Sequence, residues 1–142
     1  NTQVLITESN ELLRTMTVRD GSVIKKALNK GYKCTIITKG ASKGVKNRLL
    51  ALGIHEVFDE VDDKIEILQH ILKKYNIEAR QCLYMGDDNA DIAVLKSVGL
   101  SACPFDAIPE VIEVSSFISS RSGGKACVRD VIERTMRIQG TW

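Results

Sequence analysis

Short, continuously apolar runs alternate along this chain with amphipathic stretches of helical period, and that alternation narrows the folds open to it. "YKCTIIT" (32–38), "HEVFDEV" (55–61), "QCLYMG" (81–86), "LSACP" (100–104) and "SFISS" (116–120) read as strands. Between them, "KGASKGVKNRLLALG" (39–53) carries Val45, Leu49 and Leu52 at helical spacing. "DKIEILQHILKKYN" (63–76) lines Ile65, Leu68, Ile71 and Leu72 along one side, with His70 on the exposed side. "NADIAVLKSVG" (89–99) and "AIPEVIEVS" (107–115) are shorter helices, and "GGKACVRDVIERTMRIQ" (123–139) has a face of Val128, Val131, Ile132 and Met136. Strands that are apolar throughout, rather than alternating, belong to a parallel sheet covered on both faces. The reading is one α/β domain over residues 1–142, a Rossmann-like parallel sheet with helices on both sides.

Two segments precede that pattern. "VLITESNELLRTMTV" (4–18) reads as a β-hairpin about a polar turn at Ser9, Asn10 and Glu11. "RDGSVIKKALNKG" (19–31) is a helix with Val23, Ile24, Ala27 and Leu28 on one face, Asp20 or Ser22 as its N-cap and Gly31 as its stop. Twenty basic residues nearly cancel eighteen acidic ones, leaving a net charge of +2 and no field that would draw nucleic acid or a membrane surface. No apolar run reaches the length of a membrane span. The four cysteines (34, 82, 103 and 127) form no C-x-x-C pair and read as free thiols, which suits a reducing, cytoplasmic setting. His55 and His70 are too few and too isolated for a zinc cluster, and neither a nucleotide P-loop nor a G-x-G-x-x-G motif occurs.

Sites in such sheets lie beyond the carboxyl ends of the strands. Thr38 ends one strand, Lys64 opens the helix after another, "YMGDDNAD" (84–91) follows a third, and Asp106 follows a fourth. Asp87 and Asp88 crowd like charge onto a short loop, which a cation relieves, and hard oxygen ligands suit Mg²⁺. Asp91, one helical turn on, either orients a metal-bound water or bonds the loop's own amides. Helix capping by Asp88 or Asn89 explains part of the cluster equally well. Thr38 offers a hydroxyl and an amide for a phosphate oxygen, or caps the next helix. Lys64 neutralises phosphate or is simply solvated. Together they describe a metal-assisted phosphoryl site. "RSGGK" (121–125) is either a phosphate-binding turn or an ordinary glycine loop ahead of a helix.

The whole pattern resembles the cap-less branch of the haloacid dehalogenase-like phosphatases. More closely, it resembles the 3-deoxy-D-manno-octulosonate 8-phosphate phosphatases and the related domains attached to acylneuraminate cytidylyltransferases. "VRDG" (18–21), "IIT" with Ser42 (36–42), Lys64 in "DDKIEIL", "YMGDDNADIAVLKSVGLSACPFDAIPEV" (84–111) and "SRSGGKACVRDVIE" (120–133) carry the likeness across nearly the whole chain. The family's first motif, D-x-D-G-[VT]-x-T, is the departure. Laying "LITESN" (5–10) on it puts Thr7 and Ser9 where the carboxylates belong and deletes the hairpin. The alignment that keeps the hairpin leaves the motif outside residues 1–142. The expectation is then of roughly ten to twenty-five further residues carrying a central strand, since without it two strand edges stand open. An intact mass near 15.7 kDa would contradict this.

The resemblance implies a Mg²⁺-dependent phosphatase of an eight- or nine-carbon sugar acid phosphate, 3-deoxy-D-manno-octulosonate 8-phosphate favoured, working through an aspartyl-phosphate. It implies Asp87 and Asp88 at the metal with Asp91 behind them, and Thr38, Lys39 and Lys64 at the phosphate. Arg121, with Gly123 and Gly124, is implied at the sugar-acid carboxylate. Many relatives carry Gly-Arg after the threonine; here Lys39-Gly40 stands there. Without a cap, relatives cover the site by forming tetramers through the hairpin, for which Val4, Leu5, Ile6, Leu12, Leu13, Met16 and Val18 are apolar enough. The alternatives are an inert oligomerisation or regulatory domain of the same fold, and a receiver-like signalling domain. The order of the motifs does not fit the latter.

Overall fold

The computed structural model describes residues 5–9 and 12–142. The hairpin is present as two-residue strands, β1 (Leu5–Ile6) and β2 (Leu12–Leu13), antiparallel with Leu5 opposite Leu13. Val4, Asn10 and Glu11 lie outside the described residues.

Helix α1 (Val18–Asn29) follows, and its cap differs from expectation. Thr17 is the N-cap, its hydroxyl accepting from the Arg19 amide, and neither Asp20 nor Ser22 caps. Asp20 instead accepts a hydrogen bond from the Arg129 amide at 2.8 Å, tying α1 to the last helix. Burial raises its pKa, and Arg129 only partly offsets that. A carboxylate one turn inside a helix can serve the neighbour it packs against, which local sequence does not reveal.

Parallel pairs β3 (Thr35–Ile37) and β4 (Glu56–Phe58) are joined through α2 (Lys43–Ala51). Helix α3 (Lys64–Tyr75) then leads to a second parallel group, β5 (Leu83–Met85), β6 (Leu100–Cys103) and β7 (Phe117–Ile118). Its crossovers are α4 (Ile92–Leu95) and α5 (Pro109–Val114), and α6 (Cys127–Ile138) follows β7. Asp63 caps α3, accepting from the Ile65 amide at 2.9 Å, and Asn76 in the left-handed region stops it. Leu68 and Ile71 are buried beneath it and His70 is exposed, as the periodicity predicts.

The architecture is the expected one, a Rossmann-like α/β arrangement without a cap. Among the described residues, however, the parallel sheet is in two pieces, because β3 and β5 do not pair with each other. Each piece has its own core. Ile24, Leu49 and Ile54 gather Ile36, Val57 and Val128 on one side; Leu95, Cys103 and Val111 gather Tyr84, Ile92 and Ile112 on the other. Only β6, paired on both flanks, is covered as a buried parallel strand should be, with Ala102 and Cys103 fully enclosed. Residues of β3, β4 and β5 are half-buried. Helices α1 and α6 pack together and bury Val23, Ala27, Val131 and Met136. All four cysteines are free, and no helix among the described residues is long and apolar enough to cross a membrane.

Candidate active site

The carboxyl ends of β3, β4 and β5 carry the predicted residues. After β5 the chain passes through Gly86, where an added Cβ would run into Asp91. That close approach lets the Asp91 carboxylate turn back under the loop. Its Oδ2 accepts from the Asp87 and Asp88 amides at 3.0 and 3.1 Å. Its Oδ1 accepts from Lys64 Nζ and from the Tyr84 hydroxyl, each at 2.6 Å. Asp91 is 3% exposed. Burial alone would raise its pKa, but the hydrogen bonds from Lys64 and Tyr84 outweigh it and hold the carboxyl below its usual value. Tyr84 moves the other way, driven up by burial and by its bond to Asp91. Of the two roles open to Asp91 in the sequence, its side chain takes the second, bonding the loop's own amides.

Asp88 acts as a cap, accepting from the Asn89 amide at 2.8 Å and opening the 3-10 turn Asn89–Asp91, so the helix expected over 89–99 shortens to that turn and α4. Asp87 is half-buried, and its carbonyl accepts from the Ile108 amide. Asp91 is committed to the loop, and the cation of the resemblance would fall to Asp87 and Asp88. Among the described residues no three His, Cys, Asp or Glu side chains form a ready metal cluster. Two carboxylates nonetheless fit Mg²⁺, which keeps several waters and takes substrate phosphate oxygens for its other positions.

Thr38 lies at the end of β3, bonded to Phe58 and Val61 through its backbone. It does not cap α2; Ser42 does. The Thr38 hydroxyl instead accepts from the Gly40 amide at 3.2 Å, forming a small turn that carries Lys39. Lys39 pairs with exposed Asp62 at 3.3 Å. The loop met by Thr38 runs straight into Lys64, the first residue of α3, which reaches Asp91, which holds the Asp87 amide. Thr38, Lys64 and Asp87 therefore share one end of the sheet through a continuous series of contacts.

Arg121 stands apart from this series. It lines an open cavity of about 400 Å³ with Arg19 and Arg129, where Asp130 and Glu133 supply the opposite charge. The glycine loop after it is held by Asp106, whose Oδ1 accepts from the Gly123 amide at 2.6 Å. Sequence reasoning passed over Tyr84 and Arg14. Tyr84 was legible only as a strand residue; Arg14 lines a smaller cavity with Thr38 and Gly40.

A parallel α/β core without a cap, with a threonine, a lysine and an acidic loop at the carboxyl ends of its strands, defines a haloacid dehalogenase-like hydrolase, and the model of that family matches residues 51–126. Within it, the chain belongs to the 3-deoxy-D-manno-octulosonate 8-phosphate phosphatase family. It is 33% identical over 132 residues to the phosphatase of that name, KdsC, from Escherichia coli K12, covering 93% of this chain and 70% of that protein. The crystal structure of the Yersinia pestis 3-deoxy-D-manno-octulosonate 8-phosphate phosphatase superposes with a TM-score of 0.94 at 27% identity, covering 98% of this chain and 75% of that one. The Moraxella catarrhalis phosphatase, solved with magnesium, phosphate and KDO, gives 0.93 at 28% identity, covering 97% and 79%.

Proposed function

We propose that this protein is a Mg²⁺-dependent phosphatase that hydrolyses an eight- or nine-carbon sugar acid phosphate, with 3-deoxy-D-manno-octulosonate 8-phosphate the favoured member. The observation that carries the reading is the contact series joining Thr38, Lys64, Asp91 and Asp87 at one end of the sheet. Thr38 directs a hydroxyl, and Lys64 an ammonium, at phosphoryl oxygens; Lys39 adds charge at the rim. Asp91 fixes the Lys64 ammonium and the acidic loop in one geometry. Asp87 and Asp88 would hold Mg²⁺, which when bound supplies positive charge against the phosphoryl group.

The family chemistry passes through an aspartyl-phosphate. No D-x-D tripeptide occurs within residues 1–142. The reading assigns the nucleophilic and acid/base aspartates to residues outside 1–142, in keeping with β3 and β5 not pairing with each other among the described residues. The test is phosphate release by the full-length protein from a panel of sugar acid phosphates, with and without Mg²⁺. Turnover that requires Mg²⁺ is expected; no turnover on any member would overturn the reading in favour of an inert domain of the same fold.

The same reading extends to assembly as a tetramer through the hairpin. Leu5, Ile6, Leu13, Met16 and Val18, on the hairpin or just after it, are 45–74% exposed, and apolar exposure of that kind marks an interface. Light scattering on the eluting protein should give four times the chain mass, and Leu5→Asp with Ile6→Asp should reduce it to that of a monomer. A monomeric wild type would remove the assembly proposal and leave the chemistry standing.

A further inference from the structure

Arg14, just beyond β2, reaches across to the loop after β3. An added Cβ at Gly40 would stand 2.7 Å from Arg14 Nη2 and 3.1 Å from Nη1, so the guanidinium fills the space that the glycine leaves empty. Both residues border a cavity of about 110 Å³ that also takes in Thr38, Ser42, Lys46 and Asp59. Lys46 is already committed there, donating to both Asp59 oxygens at 3.0 and 3.1 Å. Arg14 has no carboxylate partner among the described residues. Among the described residues it is the cation of this small cavity with no carboxylate partner, and Ile36 of β3 and Val57 of β4 give the cavity an apolar wall. Ser42 sets the N-terminus of α2 on the same cavity, which favours negative charge further.

We infer that Arg14 binds the carboxylate of the sugar acid and so selects acid phosphates over other phosphomonoesters; this rests on the phosphatase reading above. The phosphoryl group has donors of its own in Thr38 and Lys64. A planar guanidinium fork matches the planar, two-oxygen carboxylate in a bidentate pair, and the apolar wall strengthens that pair by excluding water. Arg121, the residue the sequence pointed to for this role, borders the other cavity, which Thr38 does not line and where Asp130 and Glu133 add negative charge of their own.

Steady-state kinetics on the full-length protein with Mg²⁺ test this, using 3-deoxy-D-manno-octulosonate 8-phosphate and p-nitrophenyl phosphate, which has no carboxylate. Arg14→Ala should raise KM for the sugar acid phosphate on the order of tenfold to a hundredfold, the worth of a charge-assisted pair. KM for p-nitrophenyl phosphate should stay within about twofold, below the effect of one such bond. Arg14→Lys should recover only part of the loss. Gly40→Ala, which displaces the flexible end of Arg14 without crowding backbone, should reproduce a smaller version of it. The ratio between substrates makes misfolding distinguishable from lost recognition. An unchanged ratio in Arg14→Ala, or a shift appearing in Arg121→Ala instead, overturns the inference. A wild type that turns over p-nitrophenyl phosphate and no sugar acid phosphate removes the substrate reading and this inference with it, whereas turnover of both with Arg14→Ala unaffected removes the inference alone.

Discussion

Asp91→Ala is expected to destabilise the domain by about 3–5 kcal/mol, the range for breaking one side of a buried ion pair. The substitution strands four groups together: the Lys64 ammonium, the Tyr84 hydroxyl and the amides of Asp87 and Asp88. Lys64 is only 12% exposed, so water does little to replace the lost partner. Asp91→Asn keeps the shape and one acceptor oxygen but turns an amide NH₂ toward either Lys64 or the loop amides, and its loss should be substantial but smaller. The pH dependence follows from the direction of the shift. The folded carboxyl sits below its unfolded value of about 4, so its stabilisation is complete above that value and is lost as pH falls through the folded one. Denaturant titrations between neutral and acid pH check both points. The gap between wild type and Asp91→Ala should narrow as pH drops, and a neutral-pH difference under about 1 kcal/mol would mean that the cluster is not the buried pair described.

Asp87→Asn is expected to leave folding nearly intact and to abolish most of the activity. Asp87 is half-buried at the loop, and its backbone carries the Asp91 and Ile108 hydrogen bonds, which the substitution leaves in place. The substituted side chain keeps its volume and loses the charge that favours a divalent cation. A fall of at least roughly a hundredfold in kcat/KM, with activity no longer tracking Mg²⁺ concentration, is the outcome that several kcal/mol of lost charge stabilisation predicts. Unaltered activity and Mg²⁺ response would take Asp87 out of the site. The pair of variants tests two roles within five residues: Asp91 as the residue that holds the loop together, and Asp87 as the one proposed to serve the reaction.

That separation was not readable from the acidic cluster as a string. Its composition suggested metal ligation and capping together, and the structure shows the capping in one member while ligation by another is the proposal. Asp88 caps the 3-10 turn, and Asp91 turns back beneath the loop because Gly86 leaves room for it. Thr38 was legible as a strand-end hydroxyl, but the choice between helix cap and free turn fell to Ser42, four residues on, which took the cap. Asp20 was a plausible N-cap on local grounds until α6 packed close enough to present the Arg129 amide. Arg14 left no trace in any periodicity, since its meeting with Gly40, 26 residues on, depends on the tertiary fold.

The order of apolar runs and helical faces was enough, by itself, to specify a layered parallel α/β fold and to put Thr38, Lys64 and Asp87 at the ends of strands, because hydrophobic period and strand polarity are local properties of the chain. Which groups share a proton, a charge or a cavity was decided only by packing. Lys64 and Asp91 are 27 residues apart, and their pairing emerges only when the fold sets the first turn of α3 against the loop after β5.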